Sequence, residues 1–161
     1  MQPAIMVMGV SGCGKSTIGA GLADALGGAF LDGDDYHPQG NVDHMAAGRP
    51  LTDAMRWPWL DSLALAVNAA RQDRIVVFAC SALKQSYRQH LQGAIADLKI
   101  AYLDAPRDVV GRRIAQRRDH YMPASLLASQ YATLEVPQNP AVAVSVDQPV
   151  ADIIAALRHL V

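Results

Sequence analysis

The sequence has few cysteines, nearly balanced charge and no long apolar run. Two cysteines among 161 residues, Cys13 and Cys80, do not make a disulfide framework. Lys and Arg total 14 against 15 Asp and Glu, so nothing favours a general nucleic-acid or membrane-surface binder. No apolar run approaches the ~20 residues that span a bilayer, and residues 1–10 lack the pattern of a signal peptide. We therefore expect a cytoplasmic enzyme with a single domain, residues 1–161.

Short apolar runs alternate with longer amphipathic segments along the chain. The apolar runs, interpreted as strands, cover residues 4–8, 29–32, 74–80, 99–104 and 141–147. The helix candidates cover residues 15–26, 58–72, 83–92, 106–118, 123–134 and 149–160. This alternation predicts an α/β fold with a five-stranded parallel sheet flanked by helices. Residues 33–57 are long, polar and rich in Gly, Pro, Asp and His, and we interpret them as an irregular, functional insertion.

A glycine-rich loop follows the first predicted strand. Residues 9–16, GVSGCGKS, match the pattern G-x-x-x-x-G-K-[ST] between a strand and a helix. Such a loop points backbone N–H groups at phosphate oxygens, and the following helix adds its positive N-terminal end. We predict that Lys15 reaches the β- and γ-phosphates and that Ser16 binds Mg²⁺; the alternative is a turn that binds nothing. The predicted nucleotide-binding residues here are Gly9, Gly12, Cys13, Gly14, Lys15, Ser16 and Thr17, with Cys13 a small filler rather than a redox group.

The loop predicts a nucleoside triphosphate but does not identify the second substrate. The sequence contains no N-K-x-D guanine-reading motif, which argues against a GTPase. The chain is also short for a motor or transporter ATPase. A small P-loop phosphotransferase is the best remaining class.

An acidic turn follows the second predicted strand, at the edge of the sheet where ligands gather. We predict that Asp32 supports the metal and that Asp34 accepts a proton from an attacking hydroxyl. The alternative is an Asp/Gly turn that caps a helix. His37 either binds a substrate hydroxyl or fixes the turn before Pro38.

A second acceptor-side segment precedes a predicted helix. Pro58 disfavours helical backbone at the residue before it, so we predict that the helix begins at Pro58. Asp53 and Arg56 then lie on the approach turn, where they can present a carboxylate and a cation to a polar, anionic molecule. Trp57 and Trp59 are interpreted as core residues rather than as ligand-stacking ones.

Two further cations follow the third predicted strand. Lys84 and Arg88 are one helical turn apart and are expected to share a helix face. Either one neutralises a phosphate or carboxylate group, or the two form a solvated pair.

Four arginines occur in residues 112–118. A basic run of this kind is usually a solvated helix face, but its position after the fourth strand favours a mobile lid over the triphosphate. We assign the lid to about residues 112–124, with Arg113 and Arg117 as its nucleotide contacts.

Together these stretches resemble, in order along nearly the whole chain, the motifs of gluconokinases. The resemblance is carried by GVSGCGKST, FLDGDDYHPQGNVDHMAAGRPLTDAMRWPWL, ACSALKQSYR and RRDHYMPASLLASQYATLE. Many families share the first motif, whereas the D-G-D-x-x-H-P, P-L-T-D-x-x-R-W-P-W-L and C-S-A-L-K blocks are much more specific. The resemblance implies a nucleoside-monophosphate-kinase-like P-loop fold, ATP with Mg²⁺ and a homodimer. It also implies phosphorylation of D-gluconate at its 6-hydroxyl to 6-phosphogluconate.

The resemblance and the patterns above together give the candidate site residues. The catalytic candidates are Lys15, Asp34 and Arg56. The substrate-binding candidates are Asp34, His37, Asp53, Arg56, Ser81, Lys84, Arg88 and His120. Two positions depart from the family pattern: Ala54 replaces a common acidic residue, and Asp119 replaces a common glycine and is expected to stiffen the lid.

Three other functions remain open at this point. The P-L-T-D-x-x-R-W-P-W-L block argues against a shikimate kinase or a nucleotide kinase. Intact Lys15, Ser16 and Asp34 argue against an ATP-binding regulatory module without chemistry. The balanced charge argues against nucleic-acid binding through the lid arginines.

Overall fold

A computed structural model describes residues 1–116, 124–139 and 142–161. Within these residues the strands are β1 (Ala4–Met8), β2 (Ala29–Asp32), β3 (Val76–Ala79), β4 (Lys99–Asp104) and β5 (Val142–Ser145). All of them pair in parallel, in the order β2-β3-β1-β4-β5. The predicted five-stranded parallel sheet is therefore confirmed, and β1 lies at its centre.

Helices connect successive strands and cover both faces of the sheet. They are α1 (Lys15–Ala25), α2 (Gln39–Ala46), α3 (Asp53–Ala70), α4 (Gln85–Ala94), α5 (Arg107–Gln116), α6 (Ala124–Thr133) and α7 (Val150–Leu157). Short 3-10 helices occupy Gly33–Tyr36 and Arg158–Leu160. Among the helices so described, none combines the length and the apolar character that crossing a bilayer would require.

Two hydrophobic clusters form the core, one on each face of the sheet. Alternate residues of β1 contribute to opposite clusters: Ile5 and Val7 to one, Met6 and Met8 to the other. Helices α1, α5 and α7 pack on the first cluster, and α3 and α4 pack on the second. Because both faces are covered, β1 and β3 are buried along their whole length, which explains their uninterrupted apolar sequences.

Residues 33–57 are more regular than the sequence predicts. They contain the 3-10 helix Gly33–Tyr36, all of α2 and the start of α3. The prediction that this helix begins at Pro58 is wrong, because α3 begins at Asp53 and includes Pro58. Thr52 caps the helix by accepting a hydrogen bond from the backbone N–H of Met55 (3.3 Å). This cap and the burial of Trp59 outweigh the local cost of proline within a helix.

Candidate active site

The phosphate loop turns tightly between β1 and α1. Gly12 and Gly14 have φ angles of +80° and +100°, which side-chain-bearing residues rarely adopt. The Lys15 ammonium folds back over the loop and donates a hydrogen bond to the carbonyl of Val10 (3.0 Å). The loop thus places a flexible cation beside its backbone N–H groups, as binding of a polyphosphate requires.

A hydroxyl and a carboxylate meet at the base of this loop. Ser16, in the first turn of α1, donates a hydrogen bond from Oγ to Oδ2 of Asp32 at the end of β2 (2.8 Å). The other carboxylate oxygen of Asp32 accepts from the backbone N–H of Asp34 (3.0 Å). Mg²⁺ prefers oxygen ligands and is commonly held by one or two protein groups together with phosphates and water. The Ser16 hydroxyl and the Asp32 carboxylate therefore fit a magnesium ion beside a bound triphosphate.

Asp34 is, with Asp35, one of two exposed carboxylates in the acidic turn. Its side chain is 89% exposed, and its Oδ1 lies 4.0 Å from Nε2 of His37. Because hydrogen bonds already engage both oxygens of Asp32, Asp34 is the better placed of the two to accept a proton.

A tryptophan fixes the position of His37. The imidazole stacks on Trp59 with ring centroids 4.1 Å apart and planes inclined by 19°. The Trp59 indole is buried and donates to the carbonyl of Gly33 (2.7 Å), which ties α3 to the acidic turn. The interpretation of Trp59 as a core residue agrees with this contact. Burial lowers the pKa of His37, so the ring is neutral at pH 7.

Asn41, which the sequence analysis missed, sets the tautomer of this histidine. The Asn41 amide nitrogen donates to the carbonyl of Met55 (3.0 Å) and lies 3.2 Å from Nδ1 of His37. Since an amide nitrogen can only donate, Nδ1 is the acceptor and the ring proton lies on Nε2. His37 therefore directs an N–H group toward Asp34. The four-residue spacing between His37 and Asn41 is the sequence pattern that could have identified Asn41.

A second polar cluster joins α3 to the start of α4. One carboxylate oxygen of Asp53 accepts from the hydroxyl of Tyr87 (2.5 Å) and from the ammonium of Lys84 (3.3 Å). The Tyr87 hydrogen bond holds the pKa of Asp53 below its usual value. Tyr87, also missed from the sequence, lies one helical turn beyond Lys84.

Arg56 completes this cluster. Its guanidinium carbon lies 5.2 Å from the ring centroid of Tyr87. Its Nε is buried and has no hydrogen-bond partner among the described residues. A buried donor without a partner carries a cost of ~1–3 kcal/mol, so Arg56 is a strong candidate to bind an acceptor oxygen.

Arg88 differs from its sequence-based interpretation. It does not share a face with Lys84: Lys84 precedes α4 and points to Asp53, whereas Arg88 is 4% exposed. Its guanidinium donates to the backbone carbonyls of Ala82 (2.7 Å), Leu83 (3.0 Å) and Glu135 (2.7 Å). These contacts give Arg88 a role in holding the loop after β3, and the structure offers no support for direct substrate binding. Ser81 lies in that same loop, immediately after Cys80.

Arg113 closes the other side of the phosphate loop. It donates to the carbonyl of Cys13 (3.3 Å) and to that of Val146 after β5 (2.7 Å). Beside it is a pocket of ≈ 200 Å³ lined by Cys13, Gly14, Thr17, Ile18, Arg113, Val150 and Ile153. The Cys13 thiol is buried, which raises its pKa and agrees with a filling rather than a reactive role.

Most of the lid assigned to residues 112–124 lies outside the described residues. This part includes Arg117, Asp119 and His120.

The parallel sheet, the G-x-x-x-x-G-K-S loop and the Ser16–Asp32 pair define a P-loop kinase of the small-molecule type. Residues 5–137 match the family model described as "AAA domain". A gluconokinase of Gluconobacter oxydans is 47% identical over 83% of this chain and 75% of its own length. The thermoresistant gluconokinase of Escherichia coli is 38% identical over 97% of this chain and 91% of its own. The chain belongs to the gluconokinase family.

Solved structures agree with this assignment. The crystal structure of a gluconokinase from Sinorhizobium meliloti superposes with a TM-score of 0.85 at 40% identity, covering 98% of this chain and 94% of that one. An APS kinase from Mycobacterium tuberculosis reaches a TM-score of 0.73 at 20% identity over 99% and 96% of the two chains. The second likeness shows the fold alone.

Proposed function

We propose that the protein transfers the γ-phosphoryl group of ATP to the 6-hydroxyl of D-gluconate, giving 6-phosphogluconate and ADP. The single observation that carries this proposal is the position of Asp34, an exposed carboxylate two residues from the Ser16–Asp32 pair. It lies where a phosphate-loop site and an acceptor site would meet. Relatives named gluconokinase, at 38% and 47% identity, support gluconate as the acceptor.

The donor half of the site binds the triphosphate. The phosphate-loop backbone and Lys15 hold the β- and γ-phosphates, and Ser16 and Asp32 would hold Mg²⁺. When bound, the metal would neutralise phosphate charge. Arg113, with Arg117, is assigned to the nucleotide side of the lid.

Asp34 orients the attacking hydroxyl and accepts its proton. The Nε2–H group of His37 lies 4.0 Å from this carboxylate. Lys15 then stabilises the negative charge dispersed over the transferring phosphoryl group. In a loose transition state of this kind, alignment of donor and acceptor is the main contribution of the protein.

The cluster at the start of α3 and α4 recognises the acceptor. Arg56 and Lys84 provide positive charge for the gluconate carboxylate, and Asp53 accepts hydrogen bonds from sugar hydroxyls. Ser81 and His120 are assigned to the same substrate. The proposal divides the single domain, residues 1–161, into a P-loop core, an acceptor-binding segment at about residues 33–57 and a lid at about residues 112–124.

The proposal extends to a cytoplasmic homodimer. Light scattering coupled to size exclusion would give about twice the chain mass of 17.2 kDa for a dimer. A mass equal to that of one chain would contradict the homodimer but not the proposed activity.

An acceptor panel tests the activity directly. ADP release would be measured with ATP and Mg²⁺ in the presence of D-gluconate, other sugar acids, shikimate or AMP. We expect acceptor-dependent turnover with D-gluconate only. Turnover confined to another acceptor would overturn the assignment of gluconate and keep the kinase, whereas tight ATP binding with no turnover would point to a regulatory module.

A further inference from the structure

Residues 130–135, here called the bridging segment, contact both loops of the proposed site. At one end, Oε1 of Gln130 on α6 accepts a hydrogen bond from the backbone N–H of Ser11 in the phosphate loop (3.1 Å). At the other end, the backbone N–H of Glu135 donates to the carbonyl of Leu83 (2.8 Å) in the loop after β3. Between these ends, Leu134 packs against the hydrophobic clusters on both faces of the sheet. A single short segment therefore spans the two halves of the site.

The Gln130 end has a fixed orientation. A backbone N–H can only donate, so the amide oxygen of Gln130 must be the atom that faces Ser11. The neighbouring Tyr131 hydroxyl donates to the carbonyl of Ala105 after β4 (2.6 Å). Burial raises the pKa of Tyr131 to about 12, so this hydroxyl remains a donor at neutral pH. The bridging segment is thus anchored at the phosphate loop and at the end of β4.

The Glu135 end holds a strained loop. Ala82 has a φ angle of +44°, which is unfavourable for a residue with a side chain. Arg88 binds the carbonyl of Ala82 and, through its other terminal nitrogen, the carbonyl of Glu135. Oε1 of Glu135 also accepts from the backbone N–H of Gln85 (3.0 Å), at the N-terminus of α4 where negative charge is favourable. This end is therefore hydrogen-bonded to both sides of Lys84, at Leu83 and Gln85, in the loop that also carries Ser81.

We propose that the bridging segment positions the phosphate loop relative to the loop after β3, which carries Ser81 and Lys84, and that Gln130 and Glu135 are positioning residues for phosphoryl transfer. Both act through the backbone of other residues. A misplacement of ~1 Å can lower the rate of such a reaction about 100-fold. Loosening either end should therefore slow transfer more than it weakens ATP binding. This inference rests on the proposed function.

Two variants each remove one side-chain hydrogen bond, one at each end of the segment. Gln130→Met keeps the side-chain length and removes the acceptor for Ser11, and Glu135→Ala removes the acceptor for Gln85. Gln138→Met is the matched control, because Gln138 is an exposed glutamine beyond the segment. Glu135→Gln retains an oxygen that can accept from Gln85 and serves as the conservative rescue.

The measurements are kcat, KM for each substrate, the melting temperature and the ratio of ADP to phosphorylated acceptor. For Gln130→Met and Glu135→Ala we expect kcat to fall about 10-fold with KM for ATP changed less than about 2-fold. We also expect the ADP-to-product ratio to rise above one, because water competes when the acceptor is misaligned. Glu135→Gln should stay within about 3-fold of the wild type, and Gln138→Met should match it.

Two results would overturn the positioning role. One is a kcat within about 2-fold of Gln138→Met for both variants. The other is a loss of activity that follows melting temperature alone, with a ratio of one. If Gln130→Met does not fold, Gln130→Asn replaces it as the test of that end. The comparison of Glu135→Ala with Glu135→Gln tests the other end. If the wild-type protein phosphorylates another acceptor, only the proposed function is overturned, because the ratio of ADP to phosphorylated product can be measured with that acceptor. If the wild-type protein transfers no phosphoryl group, the proposed function and the positioning role are both overturned.

Discussion

The donor half and the acceptor half of the site are built in different ways. The phosphate loop is one continuous stretch, and its Lys15–Val10 hydrogen bond joins residues five positions apart. The acceptor half joins distant segments: Tyr87 binds Asp53 across 34 positions, and Trp59 binds Gly33 across 26. A local motif specifies the phosphate loop, whereas the packing of α3 and α4 specifies the acceptor half.

The largest expected effect lies on the donor half. Lys15→Ala removes the cation that stabilises the negative charge on the transferring γ-phosphoryl group. We therefore expect kcat to fall about 1000-fold. Lys99→Ala is the control, because Lys99 lies on β4 and bonds the carbonyl of Leu160 near the C-terminus. Steady-state kinetics with ATP and gluconate would measure both. Near-full turnover in Lys15→Ala would remove the basis for the donor assignment.

The acceptor half should show a different kinetic pattern. Arg56→Ala removes a charge-assisted contact, worth ~1.5–3 kcal/mol, so we expect KM for gluconate to rise about 10- to 100-fold. KM for ATP should change little, and Arg49→Ala, an exposed arginine of the preceding segment, should resemble the wild type. Equal changes in KM for both substrates would contradict the division of the site into two halves.

The phosphate loop is recognisable from the sequence because its residues are adjacent. The resemblance supplied most of the acceptor residues, but not the contacts that hold them. Asn41 and Tyr87 were missed although each lies about one helical turn from a predicted site residue. The solvated pair that the sequence offers for Lys84 and Arg88 is wrong, because Arg88 is buried and its partners are the backbone carbonyls of Ala82, Leu83 and Glu135, which no side-chain pattern reveals. Substrate binding by Arg88 stays a prediction. The start of α3 was placed too late because local proline preference was outweighed by the Thr52 cap and by burial of Trp59.

The contact between α3 and the acidic turn contributes to stability. Trp59→Phe keeps an aromatic ring and leaves the carbonyl of Gly33 without its donor. Because Gly33 is buried, we expect a loss of ~1–3 kcal/mol in the free energy of unfolding. Trp57→Phe is the comparison, since Trp57 is the neighbouring tryptophan of α3 and is not the donor to Gly33. Urea unfolding would measure both, and equal losses would argue against the importance of the Gly33 contact.

The smallest expected effect is the pH dependence caused by His37. Its pKa is lower in the folded protein than the ordinary value of 6.5, chiefly because of burial. The unfolded chain therefore binds more protons as the pH falls below 6.5, and the folded state loses stability from there toward the lower folded pKa. His37→Gln should reduce the difference in melting temperature between pH 7.5 and pH 5.5. An unchanged difference would show that other groups cause the acid sensitivity.

The central claim is that Asp34 is the carboxylate at which the two halves of the site meet. The most direct test compares kcat of Asp34→Asn with that of Asp35→Asn, since Asp35 is the neighbouring exposed aspartate of the same 3-10 helix. We predict that Asp34→Asn lowers kcat about 100- to 1000-fold while ATP still binds, and that Asp35→Asn remains close to the wild type. Turnover of Asp34→Asn equal to that of Asp35→Asn would contradict the account.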